Sequence, residues 1–214
     1  MDKFDLIKGY FKIEYLDKDG NVLEYYEDNN KIMVPSKLTM RDAMYRNMDP
    51  YSKPIGINCL ILGTEGHSPD NILLPKDFPN NLTDIYSVTN NTKHYPIVFD
   101  KQTIVDEGFS PTLPNSRNSD TNLEINTIKE GENYIIEYRF VIPQDNANDG
   151  GNPIIYTEAG LYSSLNQKIQ DLGVNPGDPL TVYSYGTLFS MKTFPGNQTK
   201  DDTSEIKLTW RIIF

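Results

Sequence analysis

The sequence has few of the residues that announce a chemistry. Its 214 residues include one cysteine, two histidines and one tryptophan. A single thiol, Cys59, excludes any disulfide framework within the chain. It sits in the apolar run at 55–62, with no histidine beside it in sequence, and reads as a small buried hydrophobe rather than a nucleophile. The histidines, His67 and His94, each stand alone in a polar stretch, whereas a metal site needs clustered ligands at short fixed spacings. A Ser-His-Asp arrangement assembles in space and leaves no spacing to read. The strand-turn-helix elbow that carries some nucleophiles is absent. No residue is therefore assigned a catalytic, cofactor-binding or metal-ligating role, and no cofactor is expected.

Positive charge is also scarce. Twenty Lys and Arg face thirty Asp and Glu, for a formal net charge of -10. That argues against binding a phosphate backbone as the main activity, so no nucleic-acid partner is expected. No run approaches the roughly 18 apolar residues of a membrane helix, and MDKFDLIKGYF lacks the apolar centre of a signal peptide. Synthesis and folding in a cytoplasm, with no membrane partner, are the expectation. The apolar fraction is low at 37%, which predicts long polar loops. A chain of this length still buries a sizeable core without staples.

What is abundant is tyrosine, 14 residues, a residue favoured in strands and contact surfaces. Alternating stretches are also plentiful. Residues 158–214 organise the chain. EIKLTWRIIF alternates cleanly, with Ile206, Leu208, Trp210, Ile212 and Phe214 on one face and Lys207, Thr209 and Arg211 on the other. That is a half-buried strand, with Phe214 expected in the core. VYSYGTLFSMKTF predicts a second strand before it. The stretch LYSSLNQKIQDLGVNPGDP is compatible with a short helix in some contexts but ends as a loop at its Gly and Pro cluster.

Residues 8–34 predict a hairpin turning at DKDGN, where Asp19-Gly20 is a strong turn dipeptide. The competing reading, half of a calcium loop, lacks the later ligands and the closing Glu. Ser36 is placed to cap a helix over 37–48, with Leu38, Ala43 and Met44 inward and Asp49-Pro50 as its stop. PIGINCLILGTEG predicts an internal strand buried on both faces. Its GTEG turn has neither the glycine spacing nor the lysine of a phosphate loop.

From 67 to 125 the chain is loop-rich, with LTDIYSV and HYPIVFD as short extended pieces laid over a core and 115–122 as a loop tip. NYIIEYRFVIP alternates again. Ile136, Tyr138, Phe140 and Ile142 form an apolar side, and Ile135, Glu137, Arg139 and Val141 a mixed side suited to an outer surface. The loop at 145–152 offers Asp145 and Asp149, but a plain loop is favoured over a calcium site because the spacing matches no known repeat. Asn81, Asn90 and Asn197 begin N-x-T triplets, read here as loop sequence. The fold class is mainly β: one antiparallel β-sandwich domain over 1–214, with long loops and one short helix.

Resemblance adds a function. TEAGLY at 157–162, LFSMKTFP at 188–195, Lys200 in the following turn and LTWRIIF at 208–214 resemble a pattern of the structural proteins of tailed bacteriophages. INCLILGTEG, followed by LLPKDF and LTDIYS, and the opening KGYFKIEYLDKDGNVLE are similar to further segments of those proteins. The likeness covers both ends and thins from about 87 to 125. It implies a non-enzymatic β-sandwich component of the virion, in the tail, baseplate or head-to-tail neck and collar region. Such a component forms a homo-oligomer and mediates assembly with other virion proteins or fibre attachment. Its shared positions are structural, so it carries over no site residues. On this reading an open edge beside the C-terminal strand takes a strand from another subunit. The alternative is a receptor- or carbohydrate-binding module of a baseplate or fibre, with TDIYS and NTKHYP as candidate loops. A small hydrolase with a converging acidic cleft is the third reading.

Overall fold

The computed structural model describes residues 7–37, 40, 57–98, 122–144, 146–148, 152–163, 167–171, 181–184 and 187–214. The expected helix over 37–48 lies outside these residues except for Lys37 and Met40.

The opening hairpin forms as the sequence predicts. Strand β1 (Lys8–Leu16) returns as β2 (Val22–Asp28), antiparallel. Asp17 holds the turn, its Oδ1 accepting the N–H groups of Asp19 and Asn21, each at 2.8 Å. Gly20 supplies the positive φ of +83° that other residues resist. This is a self-satisfied turn rather than an open set of cation ligands.

Strand β14 (Glu205–Ile213) lies between β1 and β9 (Asn133–Ile142), and β8 (Asn122–Glu130) completes the first sheet, in the order β2-β1-β14-β9-β8. Ile206, Leu208, Trp210 and Ile212 are each at most 1% exposed. Burying side chains of this size stabilises by about 1.5–3 kcal/mol apiece. Phe214 departs from expectation. Its backbone pairs with Tyr134 at 2.9 and 3.2 Å, but its side chain is 45% exposed. The strand outruns the core that its alternation points toward.

The place of β14 corrects a second expectation. It is the central strand, paired on both sides, and offers no edge to a neighbour. The Arg211→Pro variant therefore attacks the ladder inside the subunit. Its expected outcome is a loss of several kcal/mol of stability or failure to fold, read by urea unfolding.

The second sheet has the order β3-β13-β10-β4-β7. Its strands are β3 (Lys31–Ile32), β13 (Thr187–Thr193), β10 (Glu158–Ser163), β4 (Ile57–Gly63) and β7 (His94–Val98). All its pairings are antiparallel. Leu60, Leu62, Leu161 and Phe189 meet Phe11, Ile13, Trp210 and Leu208 of the first sheet in one apolar core. The molecule is thus mainly β and sandwich-like, as the patterning predicts.

Strand β4 is buried on both faces. Leu60 and Leu62 enter the inter-sheet core, while Cys59 and Ile61 join a second core with Tyr162, Leu188, Met191, Phe78 and Ile85. That outer layer comes from residues 78–90, which carry helix α1 (Tyr86–Thr89).

Several local expectations change. LTDIYSV reads as extended, yet its end forms α1, because a buried carboxylate from β10 binds the helix's first N–H groups. INTIKE is part of β8 and is missed in sequence. Its partner is β9 across a tight turn in which Gly131 has a φ of +62°. The VYSYGTLFSMKTF run divides into β12 (Thr181–Ser184), which pairs with β11 (Gln167–Asp171), and β13 of the second sheet. His67 and His94 lie in strands, His67 in β5 (His67–Ser68), which pairs with β6 (Asn71–Pro75). NSRNSDTN lies outside the described residues except for Asn122.

Candidate functional site

Three buried charges brace the frame, and none is prominent in the sequence. Glu158 opens β10 and is fully buried. Its Oε1 accepts from the N–H of Ser87 at 2.8 Å, the N–H of Glu65 at 3.1 Å and the Ser87 hydroxyl. Its Oε2 accepts from the N–H of Tyr86 at 2.8 Å. The Ser87 Oγ in turn accepts from Thr64 N at 2.7 Å. One carboxylate thus joins the GTEG turn, α1 and the second sheet. The N–H groups that a phosphate loop would offer to a ligand are taken by the protein itself. Gly63 is required here, since a Cβ would stand 2.6 Å from Glu158 Oε1.

Lys200, also fully buried, donates to the carbonyls of Gln144 at 2.6 Å and Asp201 at 2.7 Å. Ile154 pairs with Lys200 through its backbone, and the Tyr156 hydroxyl donates to Ala147 O at 2.7 Å. The lysine that the phage-like pattern places in a turn is thus an internal clamp that joins the Gln144 and Asp201 carbonyls. The calcium reading of 145–152 rests on Asp145 and Asp149, which lie outside the described residues.

Glu137 is the third. It lies on the outward face of the first sheet, yet is wholly buried between Arg139 and Arg211, whose Nε atoms stand 2.6 Å from its two oxygens. Around it runs a cross-strand row, Tyr10–Arg211–Glu137–Asn126, and beside it Glu27–Lys12–Thr209–Arg139–Glu124. Opposite charges stand side by side at Arg211–Glu137, Lys12–Glu27 and Arg139–Glu124, which favours pairing within the sheet. Arg211 also lies over the Tyr10 ring at 5.7 Å, and the Tyr10 hydroxyl donates to Glu27 at 2.9 Å. Burial and the Glu27 bond push the Tyr10 hydroxyl up to about 12. The ion pairs and the cross-strand register thus hold the charged groups of this face in fixed positions.

Along the side of the sandwich, Lys31, Lys76 and Lys192 lie over Phe78, Tyr86 and Tyr26, at 4.6, 4.7 and 5.5 Å from the ring centroids. Each ammonium is also hydrogen-bonded: Lys31 to Phe78 O, Lys76 to Glu65 O, and Lys192 to Asp28 at 2.6 Å. The Lys192 hydrogen bond holds the Asp28 carboxyl below its ordinary range. A depressed folded-state value means the folded chain binds fewer protons there. The contribution is present above the unfolded carboxylate value of about 3.9 and is lost as pH falls through the folded value. Asp28→Asn is expected to flatten the acid limb of stability below about pH 4, measured by urea midpoints across pH. Asp84 has the opposite sign, since burial raises its carboxyl.

Other sequence candidates resolve simply. Cys59 is fully buried, and burial pushes its thiol up, away from a reactive thiolate. Tyr95 of NTKHYP is in the inter-sheet core. Tyr86 of TDIYS donates to Asp77 O at 3.3 Å. These two loops therefore present no paired aromatic platform. Among the described residues, no group of three or more His, Cys, Asp or Glu is arranged to hold a metal. No described helix is long and apolar enough to cross a membrane.

No protein-family model matches the chain, and neither a curated protein nor a solved structure does.

Proposed function

We propose that the protein is a non-enzymatic structural component of a bacteriophage virion, in the tail or the head-to-tail neck and collar region. There it joins other virion proteins or anchors fibres, as an oligomer in the particle. The observation that carries this reading is spatial. Most of the segments that resemble phage structural proteins are scattered along the sequence but fold into two contiguous blocks, with LLPKDF and LTDIYS outside them. KGYFKIEYLDKDGNVLE and LTWRIIF build the run β2-β1-β14, and LFSMKTFP, TEAGLY and INCLILGTEG build the run β13-β10-β4. A shared pattern that assembles into one framework is what a common structural role requires.

The chemistry of the surface supports the same reading. The buried charges brace the frame, and the outward face of the first sheet carries balanced charge in fixed rows, as a docking surface does. The burial of Tyr95, the aromatic residue of NTKHYP, favours this reading over the receptor-binding one. Antibody labelling of particles in negative-stain electron microscopy tests the proposal. Label at the neck, collar or tail is expected, and unlabelled particles with the protein left in the soluble fraction would overturn it.

A further inference from the structure

We infer that the free edge of β2 takes an added strand from a lysine- or arginine-bearing extended segment of another protein. This goes beyond the virion reading and stands independently of it.

Strand β2 ends the first sheet, and among the described residues only β1 lies beside it. The Asn30 N–H donates to Gly9 O at 3.2 Å, which sets the phase of the ladder. Over residues 24–28, odd residues of β1 then exchange bonds with even residues of β2, and the N–H and C=O groups of Tyr25 and Glu27 point away from the sheet. None of those outward groups has a partner among the described residues. Natural edges are commonly blunted by proline, lysine or a mid-strand bulge. VLEYYED has neither residue, and its one register shift lies at the turn end.

Charge selects the occupant. Residues 17–28 carry five carboxylates and one lysine. Asp28 is held by Lys192 and Asp17 by the turn, but Glu24 has no partner among the described residues, and Glu27 has only the neutral Tyr10 hydroxyl. Nearby Lys12 is paired with Glu14 at 2.9 Å. Val22, Leu23 and Tyr25 are 49–57% exposed and supply apolar contacts between the carboxylates. A strand with alternating cationic and apolar side chains satisfies the backbone edge, the charges and the apolar spots together. A second copy of β2 would set like charges side by side. The other edge, β8, mixes Glu124, Lys129 and Glu130 and selects no sign.

The test uses the full chain and a fluorescent peptide alternating lysine and valine over about seven residues, the usual length of a paired strand. Anisotropy should show binding that weakens with salt, with amide shifts confined to residues 22–28 and their neighbours. Tyr25→Pro removes an outward N–H while leaving the β1 ladder and every charge in place, and should weaken binding about tenfold or more. The same peptide N-methylated at alternate residues keeps its charge but cannot pair, and should also lose about tenfold. Glu24→Lys with Glu27→Lys should abolish binding. Absence of binding by the parent peptide would overturn the proposal. So would equal binding of the N-methylated peptide, which marks charge alone, or tighter binding of a glutamate-valine peptide. The N-methylated arm decides the matter even if Tyr25→Pro fails to fold.

Discussion

Glu158→Ala is expected to lower the unfolding free energy by about 3–5 kcal/mol, one of the largest losses available from a single polar side chain. The buried carboxylate accepts from three backbone N–H groups and one hydroxyl, with both Ser87 bonds fully buried and the Glu65 and Tyr86 bonds partly so. Removing it leaves the Tyr86 and Ser87 N–H groups without the acceptor they have now, while the Glu65 N–H keeps the Ser87 hydroxyl at 3.1 Å. A buried unsatisfied donor costs about 1–3 kcal/mol. Local opening of α1 and the GTEG turn to water recovers part of that sum, which keeps the estimate below four full penalties. For a chain of this size the melting temperature should fall by roughly 6–20 °C. Glu158→Gln separates geometry from charge. Its amide oxygen can replace Oε1, but its NH₂ then faces the Tyr86 N–H, donor against donor. An intermediate loss, about half that of alanine, is expected. Differential scanning calorimetry of the three proteins checks this. A Glu158→Ala protein within about 1 kcal/mol of the parent would mean that the carboxylate does not brace the second sheet.

Trp210→Ala should cost about 3–5 kcal/mol through a different mechanism, a cavity in the inter-sheet core. The indole is fully buried and meets Phe11 edge-on, with ring centroids 5.1 Å apart. Phe11 in turn stacks on Phe194 at 5.3 Å. The truncation therefore removes one end of an aromatic series that spans both sheets. The indole N–H has no acceptor among the described residues. Trp210→Phe gives up packing area but also removes that unpartnered donor, so it should cost clearly less than alanine. If the phenylalanine and alanine variants were equally unstable in urea, the core at this point would be too loose for the described packing. As the only tryptophan, Trp210 also reports on the other variants, and its emission should be blue-shifted while the sandwich is intact.

The elements most legible in the sequence are those whose physics is local. The Asp19-Gly20 turn, the alternation of EIKLTWRIIF and the doubly buried INCLILG each follow from a period or a turn residue. The elements that escaped depend on contacts between residues far apart in sequence. Helix α1 has no capping residue of its own. Its cap is Glu158, more than seventy residues later, so TDIYSV offered only its β-branched and aromatic composition. Strand β8 escaped because Ile125 is exposed and Glu124, Asn126 and Lys129 break the apolar alternation. The edge position expected for β14 also failed, since strand order is a tertiary property that no window of sequence contains. For the surface the order is reversed. Glu137 was legible as an outward-facing charge, but its burial between Arg139 and Arg211 depends on the register of β14 against β9. A carboxylate inside an otherwise apolar alternation was the one available signal.

The assignment to a virion is tested most directly by mass spectrometry of particles released by the cells that make this protein and banded on a density gradient. Its peptides are expected to band with the major capsid protein, at a fixed copy number per particle that survives a salt wash. Peptides confined to the soluble fraction, with none in the particle band, would contradict the assignment and return the sandwich to the wider class of binding modules.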